Sequence, residues 1–237
     1  MSAIPTTLHS SAERRLYTWA AIAATAIVFA GFARTYYLKT LFGTPSLSSL
    51  VQLHGFVMTL WFVFFFFQVR LVATHRTPLH RRAGVAGAFI AAAVLVIGIT
   101  TAITAAKLGR SPGPPPLVFL VVPLGDMLLF AILVSAGLYF RSRSDIHKRL
   151  MLLSCVGMLS AAMARIPLEF IAKGGIPVFF GLTDLVVLAC VVYDTVKHRR
   201  LHPAFGWGLL LIVSLQPLRL VLSGTPAWKQ FSTWLVS

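Results

Sequence analysis

A chain of 237 residues in which 57% are hydrophobic and only 11% charged lies far from the ~25% charge of a soluble domain. Its formal net charge of +15 could suit nucleic acid, but the 21 Lys and Arg are scattered through short loops and helix ends, where they orient the chain and meet anionic lipid headgroups. Composition therefore excludes a soluble catalytic module and argues against a nucleic-acid partner.

Apolar runs near the ~20 residues needed to cross ~30 Å of hydrocarbon occur at 16–38, 47–72, 84–106, 117–140, 150–171, 178–196 and 204–222. They predict an all-α, polytopic bundle of seven transmembrane helices over residues 16–222. A short N-terminal tail (1–15) and a C-terminal tail (223–237), the latter suited to the interface through Trp228 and Trp234, flank it. The first run is too long for a signal-peptide core and ends in Arg34, Tyr36 and Tyr37 with no small-residue cleavage pattern, so it reads as a bundle member. With seven helices alternating, most of the cations fall on the side of the N-terminus, including Arg14, Arg15, Arg81, Arg82, Lys148, Arg149, Arg199 and Arg200. Positive-inside orientation puts the N-terminus in the cytosol, the C-terminus outside and the chain in the inner (plasma) membrane.

The third run, rich in Ala, Gly and Thr, and the fifth, with Ser154, Gly157, Ser160, Ala161, Ala162 and Ala164, carry small residues that allow close backbone approach, which predicts central positions for both. Such faces serve packing within the chain and packing between molecules, in a homo-oligomer or against a membrane-protein partner, equally well. Cys155 and Cys190 fall in apolar interiors with no CxxC or Cys/His cluster, so they read as small hydrophobes, with no metal site. Gly84 and Gly87 open the third run without the preceding strand or lysine of a phosphate-binding loop.

Six ionisable residues interrupt these runs: His54, Asp126, Arg165, Glu169, Asp184 and Arg219. A charge at membrane depth costs roughly 2.5–3.5 kcal/mol on insertion scales, which makes each a candidate functional group. At 1.5 Å per residue all six fall in the outer half, accompanied by Pro123, Pro167 and Pro217, each of which removes a helical hydrogen bond. One reading is structural: the three acids neutralise Arg34, Arg165 and Arg219, with Arg165 and Glu169 paired at i and i+4. The other is functional: an outward-facing hydrated site in which Arg165 and Arg219 bind an anionic group, the carboxylates set the charge, and His54 relays protons or contacts ligand. A transporter is a further option, but no internal repeat supports it.

A second constellation lies at the cytosolic side, where Leu79-His-Arg-Arg-Ala-Gly84 and His147-Lys-Arg-Leu-Met151 each place a histidine and two cations just before a helix start. With Leu53-His-Gly55, Trp61, Arg70 and the pair Ala164-Arg165, these motifs span roughly 53–167, and their order resembles a family of bacterial multi-pass membrane proteins of unknown function. The resemblance implies a helical bundle with no established activity and a loose likeness in histidine placement to b-type cytochromes. The chain departs from the two-haem pattern, because only His54 is clearly intramembrane. A single haem b at the cytosolic face requires that His80 and His147 approach each other, with Arg81, Arg82, Lys148 and Arg149 available to its propionates. Otherwise both histidines anchor helix feet among headgroups.

The sequence thus predicts an integral membrane protein with a polar ligand or proton-relay site in its outer half and no autonomous catalysis. A haem-containing membrane redox protein, or a partner in respiratory-chain assembly, is the alternative.

Overall fold

Every regular element in the computed structural model, which describes residues 11–237 with side chains from residue 14, is helical. Residues 1–10 of the expected N-terminal tail lie outside that range. The helices are α1 (Ser11–Phe32), α2 (Ser49–Ala73), α3 (Thr77–Lys107), α4 (Pro116–Phe119), α5 (Val121–Tyr139), α6 (Ser144–Val156), α7 (Ser160–Met163), α8 (Glu169–His198), α9 (Pro203–Ser223) and α10 (Pro226–Val236). A π-helical turn, Ala33–Tyr37, prolongs α1. Seven segments are long and apolar enough to span a membrane, the fourth being α4 with α5 and the fifth α6 with α7. Hydrocarbon offers the backbone no partners, so each segment satisfies its own N–H and C=O groups as helix.

Local signals set the ends. Ser48 caps α2 by accepting from the Val51 N–H at 3.4 Å, and prolines occupy the first turn of α3, α4, α9 and α10, where a missing N–H costs nothing. Arg199, in the left-handed region at φ 55°, stops α8. The end of the bundle where α1 begins, which also holds the α2–α3, α5–α6 and α8–α9 turns, is called basal here; the opposite end is apical.

The fifth span departs from the expected continuous helix over 150–171. It starts earlier, at Ser144, and ends earlier, at Met163; residues 164–168 are non-helical, and α8 already starts at Glu169. Pro167 cannot donate to a helical ladder, and Gly175, at φ 58° and ψ −145°, adds a kink within α8 that a residue with a Cβ would strain to adopt. Arg165 and Glu169 therefore do not share a helical face.

α6 and α7 form the centre, as the small residues predicted: 67% of the span's most apolar window is buried. Leu152, Leu153, Cys155, Val156 and Leu159 pack there against Phe130 and Leu133 of α5 and Phe205 and Ile212 of α9. A Cβ on Gly31 would collide with the Ala162 backbone, so glycine is what lets α1 lie directly on α7. The expectation of a central third span is corrected, since only 22% of α3 is buried in the same sense. Its buried residues form one narrow stripe, Gly87, Ala91, Val94, Gly98 and Ala106, while Val85, Phe89, Val96 and Ile99 face outward. The C-terminal tail is the helix α10, held against the apical end by Trp228 Nε1 donating to Leu117 O at 2.8 Å and Lys107 Nζ donating to Ser237 O at 2.8 Å.

Candidate functional site

The six apical groups separate into small, mostly closed sets. Arg219 of α9 is buried, pairs with Asp126 of α5 at 2.6 Å and donates to Val122 O at 3.1 Å. Ser160 Oγ of α7 donates to the other Asp126 oxygen at 3.1 Å, and the guanidinium lies 5.0 Å from the ring centroid of Phe180 on α8. Four helices thus meet on one ion pair. Gly125 leaves room for it, because a Cβ there would press on the Arg219 side chain at 3.1–3.2 Å.

Asp184 lies halfway along α8, deeper than the sequence suggested because that helix begins sooner, and accepts from Gln216 Nε2 at 2.7 Å. Glu169 pairs with Lys173 at 2.7 Å, both side chains more than three-quarters exposed, so the expected Arg165–Glu169 pair is replaced by a surface pair of little energetic weight. Arg165 instead donates to Ala161 O at 2.8 Å and lies 4.9 Å from the Phe32 ring. Arg34 lies over Phe42 at 5.2 Å rather than against a carboxylate. Only one of the three arginines expected to be neutralised is paired with an acid among the described residues. His54 is half-buried, and its Nδ1 has no hydrogen-bond partner among the described residues.

A second buried pair, not anticipated from sequence, lies at the basal end. Arg149 of α6 grips Asp194 of α8 through Nε at 3.0 Å and Nη2 at 2.8 and 2.9 Å, with side chains 3% and 0% exposed. Its Nη1 donates to Asp145 O at 2.7 Å, and its guanidinium lies 5.7 Å from the Phe205 ring of α9. His198 Nδ1 donates to Asp194 O at 2.8 Å. In the turn outside the membrane spans, His202 Nε2 meets Asp145 Oδ2 at 3.4 Å, while burial and the nearby Arg149 charge together hold its imidazole below the usual histidine range. The available signal was Asp194 itself, a lone acid near the cation-rich end of its helix.

At the same basal end a chamber of about 850 Å³ opens among α1, α2, α3, α5 and α6, toward the upper end of the roughly 300–1,000 Å³ typical of small-molecule and cofactor sites. None of the six apical residues lines it. Helical periodicity builds its walls: Trp61, Phe65 and Gln68 on one face of α2, His80, Gly84 and Ala88 at four-residue spacing on α3, and His147 and Met151 on α6. Gly84 leaves open space where a Cβ would stand. Arg14, Arg81, Arg141 and Lys148 are its charged lining, with no carboxylate among the described lining residues. Trp61 is 2% exposed, and its indole N–H has no partner among the described residues.

His80 and His147 come together in this chamber. Both lie one turn inside their helices rather than just before them, because α3 and α6 start at Thr77 and Ser144. Their ring centroids are 6.2 Å apart with planes at 72°. His147 Nδ1 faces Gly137 O at 2.7 Å and must donate to it, so Nε2 carries the lone pair. The amide of Gln68, oriented to satisfy its neighbours, donates to His80 Nδ1 at 2.6 Å and accepts from the Gly84 N–H at 3.1 Å. Of the expected propionate cations, Arg81 and Lys148 line the chamber; Arg149 is committed to Asp194, and Arg82 is not part of the lining.

No family model, curated protein or solved structure matches the chain, so the motif resemblance gains no support from them.

Proposed function

We propose that this multi-pass membrane protein works through its basal chamber, as a binding protein for an apolar small molecule carrying anionic groups. The observation that carries this reading is the chamber: a partly open cavity with aromatic and aliphatic walls, in which every charged side chain among the described lining residues is a cation. An apolar body gains from leaving water, and an anionic edge gains from the arginines and lysine. The same concentration of cations supports a cytosolic location for the basal end in the plasma membrane.

Metal-free protoporphyrin IX, flat, apolar and dianionic, is a suitable probe. Titrated into the full chain in lipid nanodiscs, it is expected to bind saturably at one site and to quench Trp61 fluorescence. Binding that never saturates, or that persists unchanged when Gly84→Leu fills the open space, contradicts the reading.

A second reading keeps the apical groups as a proton relay, and rests on the unpartnered Nδ1 of half-buried His54. Asp126→Asn tests it. Ligand binding, stability and growth-linked function all unchanged would argue strongly against any apical role.

A further inference from the structure

We infer that the ligand of the basal chamber is a b-type haem whose iron is held axially by His80 and His147. This deepens the chamber reading and depends on it.

Geometry is the first argument. No hydrogen bond joins the two imidazoles; a direct ring-to-ring N–H···N bond of about 3 Å would bring the centroids to roughly 5 Å. A metal midway between two imidazoles, with metal–nitrogen bonds near 2 Å, puts the centroids roughly 6 Å apart, and the observed separation is 6.2 Å. The rings are thus spaced for one metal atom between them.

The hydrogen bonds are the second argument. A metal-binding histidine typically donates its other ring N–H to a carbonyl or carboxylate, which fixes its tautomer and orientation. His147 already does so, through Nδ1 and Gly137 O. His80 has Gln68 in the corresponding position. With the amide nitrogen toward Nδ1, His80 carries its proton on Nε2. Ligation moves that proton to Nδ1 and turns the Gln68 amide so that its oxygen accepts it. No electron is transferred and no proton is lost; each histidine contributes one lone pair. Gln68 is therefore a positioning residue, placed to meet Nδ1 of His80 with its amide.

The remaining lining fits the rest of the group. Gly84 and Ala88 leave a low wall one and two turns beyond His80 for the macrocycle, and Phe64, Phe65 and Val134 offer apolar contact. Arg81 and Arg141 suit two propionates. With both axial positions filled by nitrogen, the iron has no vacancy for oxygen or substrate, and the site suits electron storage.

The test is a hemin titration of the full chain in nanodiscs, run beside the metal-free protoporphyrin titration. Six-coordinate, low-spin optical spectra in both oxidation states are expected. The near-perpendicular rings should give ferric iron a strongly anisotropic low-spin electron paramagnetic resonance signal. His80→Ala and His147→Ala should each lose the six-coordinate spectrum while still binding metal-free protoporphyrin, which shows that the variant is folded. His147→Met should stay coordinated with a raised reduction potential. Metal-free porphyrin bound at one site, with hemin either rejected or five-coordinate and indifferent to both histidines, overturns the haem inference and leaves the chamber reading standing. Failure of both probes overturns the two together.

Discussion

The two ends of the bundle use polar groups in opposite ways. At the apical end the deepest charges are matched to each other: Asp126 to Arg219 and Ser160, Asp184 to Gln216. At the basal end one pair, Arg149 with Asp194, is likewise closed, but the same end holds a chamber with two histidines whose ring centroids are 6.2 Å apart and cations as the charged groups of its described lining. A charge at membrane depth marks a constraint, and the partner decides its kind. Where an acid, a base and a hydroxyl saturate one another, the constraint is on how helices pack. Where cations surround a space, it concerns what enters.

Breaking the basal clamp is the most severe perturbation this contrast suggests. Asp194→Ala should destabilise the protein by about 3–5 kcal/mol, the usual cost of stranding one member of a buried pair, whereas Arg149→Met with Asp194→Leu should recover most of that loss. Denaturation in detergent micelles measures both. The apical pair is slightly more open, with side chains 5% and 13% exposed, so Asp126→Asn should cost about 2–3 kcal/mol by the same assay. Porphyrin affinity should stay within twofold; a large loss would move the ligand site apically.

Gly84→Leu should sharpen the comparison from the other side. It replaces a poor helix former with a good one where nothing lies within 4 Å of an added Cβ, which is worth up to about 1 kcal/mol of stability. Porphyrin affinity should nevertheless fall at least tenfold. A variant that is more stable and fails to bind separates site from scaffold.

His202 gives a smaller, pH-dependent effect. Its folded-state imidazole is held below the ordinary range near pH 6.5 by burial and then by Arg149. Its contribution is therefore intact above that range and is lost as pH falls through the folded value. Stability measured from pH 8 to pH 5 should decline, and His202→Asn should flatten the slope. Smallest of all, Glu169→Gln should change stability by less than about 0.5 kcal/mol, because its partner is a solvated lysine one turn away.

The seven spans were legible because hydrocarbon imposes one requirement on every crossing, and a run of apolar residues answers it. Small residues pointed to the centre for both the third and the fifth span, and only the fifth is there, because most of the third span's surface faces outward. The apical network was misread where a local break intervened: i,i+4 logic for Arg165 and Glu169 presumes a helix that residues 164–168 do not form. Asp194 went unnoticed among cations because a buried pair across 45 positions has no local spacing. The two basal histidine motifs were visible, but their approach depends on the α2–α3 and α5–α6 turns lying side by side. Gln68 and the chamber itself are products of packing, with no periodicity of their own.

The most direct measurement is the stoichiometry and affinity of metal-free protoporphyrin IX in nanodiscs for the unaltered chain, Asp126→Asn and Gly84→Leu, read by Trp61 quenching. The chamber account expects one equivalent bound by the first two and none by the third. Equal binding by Gly84→Leu, or binding lost only in Asp126→Asn, would contradict it.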